Sequence, residues 1–191
     1  MAEIVAAALT SHAPLITGKP EIAKPEQRDR LYAGFHELRR RLAAARPDLL
    51  VTFVNDHLQN FPYSNLPAFC VGLAAAYDAP SPGGARLMRI PPRKIRGAPE
   101  WGMALLEAGL AGGFDFAYSY EIESWDELSV PLHFLNPEGD VPVAAIYTNC
   151  GAPPLPVPRR CHALGAFVGD FIRSRPATER IALLATGGIA H

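Results

Sequence analysis

Six histidines punctuate the 191-residue chain, at positions 12, 36, 57, 133, 162 and 191. Three of them stand where apolar runs give way to polar loops. Ile4 to Leu9 closes into Thr10-Ser11-His12-Ala13-Pro14, Asp48 to Val54 into Asn55-Asp56-His57, and Arg180 to Thr186 into Gly187-Gly188-Ile189-Ala190-His191. Imidazole suits borderline divalent metals, and two histidines with one carboxylate leave positions open on iron(II) for dioxygen and a substrate. His12 and His57 form the better ligand pair. His191 follows two glycines that let the backbone approach closely, which suits a group that accepts and returns protons. Asp56 has two readings of equal weight: it orients an imidazole from behind the metal's own ligands, or it is a turn residue at a strand end. His36 reads as a surface residue of a helix, and His133 and His162 fall in helix-like stretches away from the three strand ends.

For three strand-end histidines to act together, their strands must share a sheet and point the same way. The first run, Ile4 to Leu9, reads as a buried strand stopped by Pro14, which cannot continue a ladder. From Pro25 the period changes. Leu31, Phe35, Leu38 and Leu42 recur at helical spacing, giving a helix of about five turns that stops before Pro47. Asp48 to Val54 is a second strand. Residues 60 to 96 are rich in Pro, Gly and Tyr, with breaker clusters at Pro80-Ser81-Pro82-Gly83-Gly84 and Pro91-Pro92, and read as irregular with at most two strands. Pro99 to Ala111 is helical and stops at Gly112-Gly113. Phe114 to Tyr120 reads as a strand, Val130 to Leu135 as a short helix, Val141 to Tyr147 as a strand, Arg159 to Ser174 as a helix and Arg180 to Thr186 as a buried strand. Strands alternating with helices predict an α/β layered sandwich with a largely parallel central sheet and helices on both faces. In such sheets ligands collect at the carboxyl ends of the strands. The order of the strands does not follow from the pattern.

Composition narrows the chemistry. Eighteen Lys and Arg against nineteen Asp and Glu leave a net charge of −1, so no global positive field gathers nucleic acid or anionic lipid. Three cysteines, none close to another, form neither a disulfide framework nor a thiolate zinc site. The first residues carry no basic leader, and no apolar stretch reaches the length of a membrane span, so the expectation is a cytoplasmic protein. No Gly-x-Ser-x-Gly elbow is present for a serine nucleophile, and neither Gly-Gly pair has the Gly-Lys-Ser/Thr ending of a phosphate loop.

Taken together, the three histidine segments resemble the signature segments of the class III extradiol ring-cleavage dioxygenases, the superfamily containing the protocatechuate 4,5-dioxygenase beta subunit. The resemblance extends through Leu66-Pro67-Ala68-Phe69-Cys70-Val71-Gly72, Ser129-Val130-Pro131-Leu132 and Arg160-Cys161-His162-Ala163-Leu164-Gly165, and so covers essentially the whole chain. It implies that His12 and His57 bind Fe(II), that His191 is the acid-base histidine beside a bound catechol, and that Asn55 and Asp56 are the residues preceding the second ligand. The partners it implies are an aromatic diol, dioxygen, and further subunits in a homo-oligomer or a hetero-oligomer. Two departures stand out. Many members carry a second active-site histidine before the Val-Pro-Leu segment, and here Asp126 is nearest its place, which makes Asp126 a candidate for the substrate pocket. The family's third metal ligand is a glutamate well beyond the acid-base histidine, so the single dioxygenase-like domain of residues 1 to 191 reads as lacking the C-terminal part that carries it. The expected function is therefore a non-haem Fe(II) extradiol dioxygenase. The alternatives are a non-catalytic dioxygenase-like subunit paired with a complete catalytic partner and, more distantly, a hydrolytic metalloenzyme on the same fold. Tyr63 and Trp125 are weaker candidates to line a pocket, and each reads first as ordinary packing.

Overall fold

A computed structural model describes residues 1–187. Strand β1 (Glu3–Thr10) leads through a one-turn helix α1 (Leu15–Gly18) and a 3-10 turn (Pro20–Ile22) into helix α2 (Pro25–Ala45), then strand β2 (Leu49–Asp56). Strands β3 (Phe69–Gly72) and β4 (Ala76–Ala79), helix α3 (Pro82–Met88) and strand β5 (Arg93–Arg96) follow. The chain continues as α4 (Pro99–Ala111), β6 (Ala117–Ser119), α5 (Asp126–Leu135), β7 (Val143–Asn149), α6 (Pro158–Ser174) and β8 (Arg180–Thr186).

The main sheet has the order β1-β8-β2-β7-β3-β6. Its neighbours run parallel except β3 and β7, which are antiparallel. β8 thus enters last and lies between the first two strands. Each face buries an apolar cluster. On one side Phe35 of α2 and Leu128, Leu132 and Phe134 of α5 pack on Leu50, Val54 and Tyr147. On the other, Trp101 and Leu105 of α4 with Leu164, Val168 and Ile172 of α6 pack on Val51, Ile146 and Ile181. This is the expected sandwich, with a largely parallel sheet and helices on both faces.

Local chemistry explains the elements. Pro25 occupies the first turn of α2, where its missing N–H is harmless, and Arg46 in the left-handed region ends the helix before Pro47. Phe35 stacks on Phe134 at 4.3 Å between ring centroids, fixing α2 to α5.

Four expectations are corrected. β1 is an edge strand with only β8 beside it, so it is largely exposed rather than buried; Leu9 is 70% exposed. The stretch expected to be irregular holds three short strands, two of them a separate antiparallel β4/β5 pair, and between that pair helix α3, which Pro82 starts from the favourable first-turn position. β6 is shorter than its apolar run because only Ala117 to Ser119 find a partner, in β3. α5 begins at Asp126, four residues before the apolar run, because Asp126 and Glu127 supply the acidic first turn that helices favour. Among the described residues, no helix is long and apolar enough to cross a membrane.

Candidate metal centre at the carboxyl rim of the sheet

Because β1, β8 and β2 are parallel, their carboxyl ends form one rim. Thr10 pairs with Thr186, and Phe53 with Ala185. His12 lies two residues beyond β1 and His57 one residue beyond β2, so both side chains reach over the end of the intervening β8. Their rings meet edge to face with centroids 5.1 Å apart. Asp126, at the start of α5, brings a carboxylate to the same place, with its Oδ1 3.4 Å from His57 Nδ1. One imidazole nitrogen from each histidine and a carboxylate oxygen of Asp126 all lie within 4.8 Å of one another.

Each donor is held by a different device. After His57 the chain reverses sharply, with Leu58 at φ +63°, a strained region for a bulky residue. Asp56 clamps that reversal by accepting hydrogen bonds from the Asn60 amide (2.9 Å), the Asn60 side chain (3.0 Å) and the Phe61 amide (3.1 Å). Asn60 also donates to the Glu123 carbonyl at 3.0 Å and accepts from the Glu123 amide at 2.8 Å, tying the His57 loop to the segment that delivers Asp126. Asp56 therefore does the work of a turn residue, and reaches His57 through its charge.

His12 is fixed by a directional chain. Its Nδ1 lies 3.0 Å from Thr186 Oγ1, and Thr186 Oγ1 lies 2.8 Å from the Glu127 carbonyl oxygen. A carbonyl only accepts, and a hydroxyl has one proton. Thr186 must therefore donate to Glu127 and accept from His12, so that neutral His12 carries its proton on Nδ1 and keeps the lone pair on Nε2. This is the pattern of a metal-binding imidazole whose other nitrogen is anchored. Gly187 adopts φ +145°, which favours glycine, and donates its N–H to the Thr10 carbonyl at 3.0 Å. A side chain there would approach Asn55 and His12 at 3.6 and 3.8 Å.

Electrostatics place acidic charge beside the rings. The Asp126 carboxylate bonded to His57 raises the imidazole above its ordinary value; burial opposes this, and the charges of Asp126 and Asp56 add to it. Neighbouring Glu127 turns into the core. Burial, then the charge of Asp126, pushes its carboxyl well above the usual range, and Oε1 accepts from the Trp125 amide at 3.2 Å. Burial pushes the Cys70 thiol up to about 12, the opposite of an activated thiolate.

The residues that the sequence marks as candidates thus separate in space. His12, His57 and Asp126 meet; Asn55 lies beside Gly187, and Asp56 in the supporting turn. His36 and His162 are exposed, and half-buried His133 packs on Phe134. Tyr63 is 76% exposed and lines nothing buried. Trp125 lies over Gly83 and Gly84. His191, the acid-base candidate, lies outside the described residues. Thr186, Asn60 and Glu127 do not stand out in the sequence. The donor set of two imidazoles and a carboxylate, with the His12 tautomer fixed, fits a divalent metal.

Comparison with known proteins agrees with this chemistry. A 2,3-dihydroxyphenylpropionate/2,3-dihydroxicinnamic acid 1,2-dioxygenase of Klebsiella pneumoniae subsp. pneumoniae is 33% identical over 183 residues, 95% of this chain and 54% of the relative. A Pseudomonas putida enzyme of the same description, numbered 2, is 33% identical over 154 residues, 80% of this chain and 46% of its own. The chain spans about half the length of these curated relatives. Among solved structures, the uncharacterized protein JW3007 from Escherichia coli K12 shares the fold at a TM-score of 0.53 and 17% identity, over 82% of this chain and 53% of that one. The family profile described as the catalytic LigB subunit of aromatic ring-opening dioxygenase matches residues 6–191, and the chain belongs to that family of class III extradiol dioxygenases.

Proposed function

We propose that the protein is a non-haem Fe(II)-dependent extradiol dioxygenase that opens the ring of a catechol-type aromatic with dioxygen. The observation that carries this reading is the meeting of His12, His57 and Asp126 at the carboxyl rim of a largely parallel sheet, in a chain of this family. His12, through Nε2, and His57 hold the metal, with Asp126 as the third donor at hand. The metal, when bound, supplies Lewis acidity toward the diol and redox capacity toward dioxygen. His57 must shed any proton to serve, so metal competes with the proton that Asp126 favours. Asn55 and Asp56 support the rim, and His191 is the group that takes a proton from the diol and returns it.

The substrate class follows the relatives, whose names point to catechols bearing a three-carbon acid side chain. A purely structural subunit has no use for two imidazoles and a carboxylate clustered at a sheet rim, which favours the catalytic reading. Assembly into a homo-oligomer, or with a second subunit, is part of the same proposal and is read by light scattering. The test loads the 191-residue chain with Fe(II) anaerobically, then adds 2,3-dihydroxyphenylpropionate and a panel of catechols with oxygen. The expected result is oxygen uptake with a yellow ring-opened product, abolished in His12→Ala and His57→Ala. Metal-loaded protein that consumes no oxygen with any catechol overturns the reading.

A further inference from the structure

Helix α5 carries Pro131 in its interior. In an α-helix the carbonyl of residue 127 would bond to the N–H of residue 131, and proline has none. The helix nevertheless runs on around this gap. Ser129 N–H donates to the Trp125 carbonyl at 2.8 Å, and Asn136 N–H to the Leu132 carbonyl at 3.0 Å. Glu127 and Pro131 are both buried, so a carbonyl left without a partner there would cost about 1–3 kcal/mol. The Thr186 hydroxyl meets it, in a buried bond of 2.8 Å spanning 59 residues of sequence. Since the hydroxyl proton is committed to Glu127, only the oxygen lone pairs remain for His12, whose Nδ1 must donate across the 3.0 Å contact.

We propose that Pro131 and Thr186 are positioning residues for His12: the proline frees the Glu127 carbonyl, the threonine relays that acceptor to the rim, and the relay locks His12 as the Nδ1–H tautomer. Its significance for metal rests on reading His12 as a ligand. Two consequences follow. Residue 186 must offer a hydroxyl, because a methyl group in its place neither accepts from His12 nor donates to Glu127. Asp126 also adjoins the carbonyl that the relay ends on, so the first turn of α5 sets two of the three donors relative to each other.

The test is long-range proton–nitrogen NMR on metal-free protein carrying 15N-labelled histidine, above the pH where His12 is charged, together with Zn(II) titration. Wild-type His12 is expected as the Nδ1–H tautomer. Thr186→Val is expected to give a mixed or Nε2–H ring and to weaken Zn(II) binding by about 10- to 100-fold. Thr186→Ser should restore both readouts, which a merely structural role for the threonine methyl would not. Pro131→Ala, which supplies an N–H to compete for the Glu127 carbonyl, should shift the His12 tautomer toward a mixture. An Nε2–H tautomer in the wild type, or a Thr186→Val protein with the wild-type tautomer, overturns the relay even if the variants fold poorly, because the wild-type spectrum alone is decisive. Pro131→Ala with an unchanged tautomer removes the proline from it. Zn(II) bound as tightly by His12→Ala and His57→Ala as by the wild type would instead overturn the metal reading, leaving the tautomer result to judge the relay separately.

Discussion

The two strands that deliver the histidines are opposites. β2 is central, and Leu50, Val51, Thr52 and Val54 are each 0 or 1% exposed; β1 is an edge strand whose Leu9 is 70% exposed. Yet the exposed strand carries the more buried histidine: His12 is 4% exposed, while the His57 side chain keeps 25%. Burial of a strand and fixation of the residue at its end are separate problems. His57 inherits a rigid strand and needs only a clamped turn, supplied by Asp56 and Asn60. His12 leaves a strand supported from one side and needs its ring held by the neighbouring strand, through Thr186.

That contrast can be broken from either side. Leu50→Ala removes a fully buried side chain from β2 and is expected to destabilise the fold by about 2–5 kcal/mol, read by urea unfolding. Asp126→Asn should leave the fold intact but weaken divalent-metal binding at least about tenfold by calorimetry. It should also lower the His57 value in metal-free protein, because the carboxylate that raises it is gone. The sign is set by linkage: a raised imidazole adds stability below about pH 6.5 that is lost as pH rises through the folded value, and this slope should flatten in the variant.

Glu127→Gln probes the acid that faces the core. Burial raises the Glu127 carboxyl in the folded chain, so this group costs stability as pH rises above the unfolded-chain value of about 4.3. The glutamine variant should melt higher than the wild type at pH 7, and the difference should shrink toward about pH 4. The smallest effect belongs to β1: Leu9→Gln on the exposed edge is expected to change stability by no more than about 0.5 kcal/mol, with His12 still bonded to Thr186.

Much of the fold is legible in the sequence because burial writes itself into apolar runs and periods. Arg180 to Thr186 and Pro99 to Ala111 match β8 and α4 end to end, and Phe35, Leu38 and Leu42 mark the inner side of α2, while Leu31 of the same stripe is 41% exposed. The stretch between β3 and α4 is not, for a physical reason. β4 and β5 read Ala-Tyr-Asp-Ala and Arg-Lys-Ile-Arg, with Tyr77, Ala79 and Ile95 as their deeply buried apolar members, and they are strands only because they pair with each other. The edge position of β1 is equally hidden, since Ile-Val-Ala-Ala-Ala-Leu reads like an interior strand.

At the site, the two histidines at strand ends are visible from residue type and position. Asp126 is visible only as the residue nearest a missing histidine, and its contact with His57 spans 69 positions. Thr186 reads as no more than the last residue of a strand, because its partners are 59 and 174 positions away. The local hints are a proline inside an otherwise helical stretch and a hydroxyl just before two glycines.

The most direct test of the central claim, that His12 and His57 grip one metal ion, is the metal content of purified protein reconstituted with Fe(II) under anaerobic conditions. One ion per chain is expected in the wild type, lost when either histidine alone is changed to alanine. An ion retained at full occupancy in both single variants would contradict it.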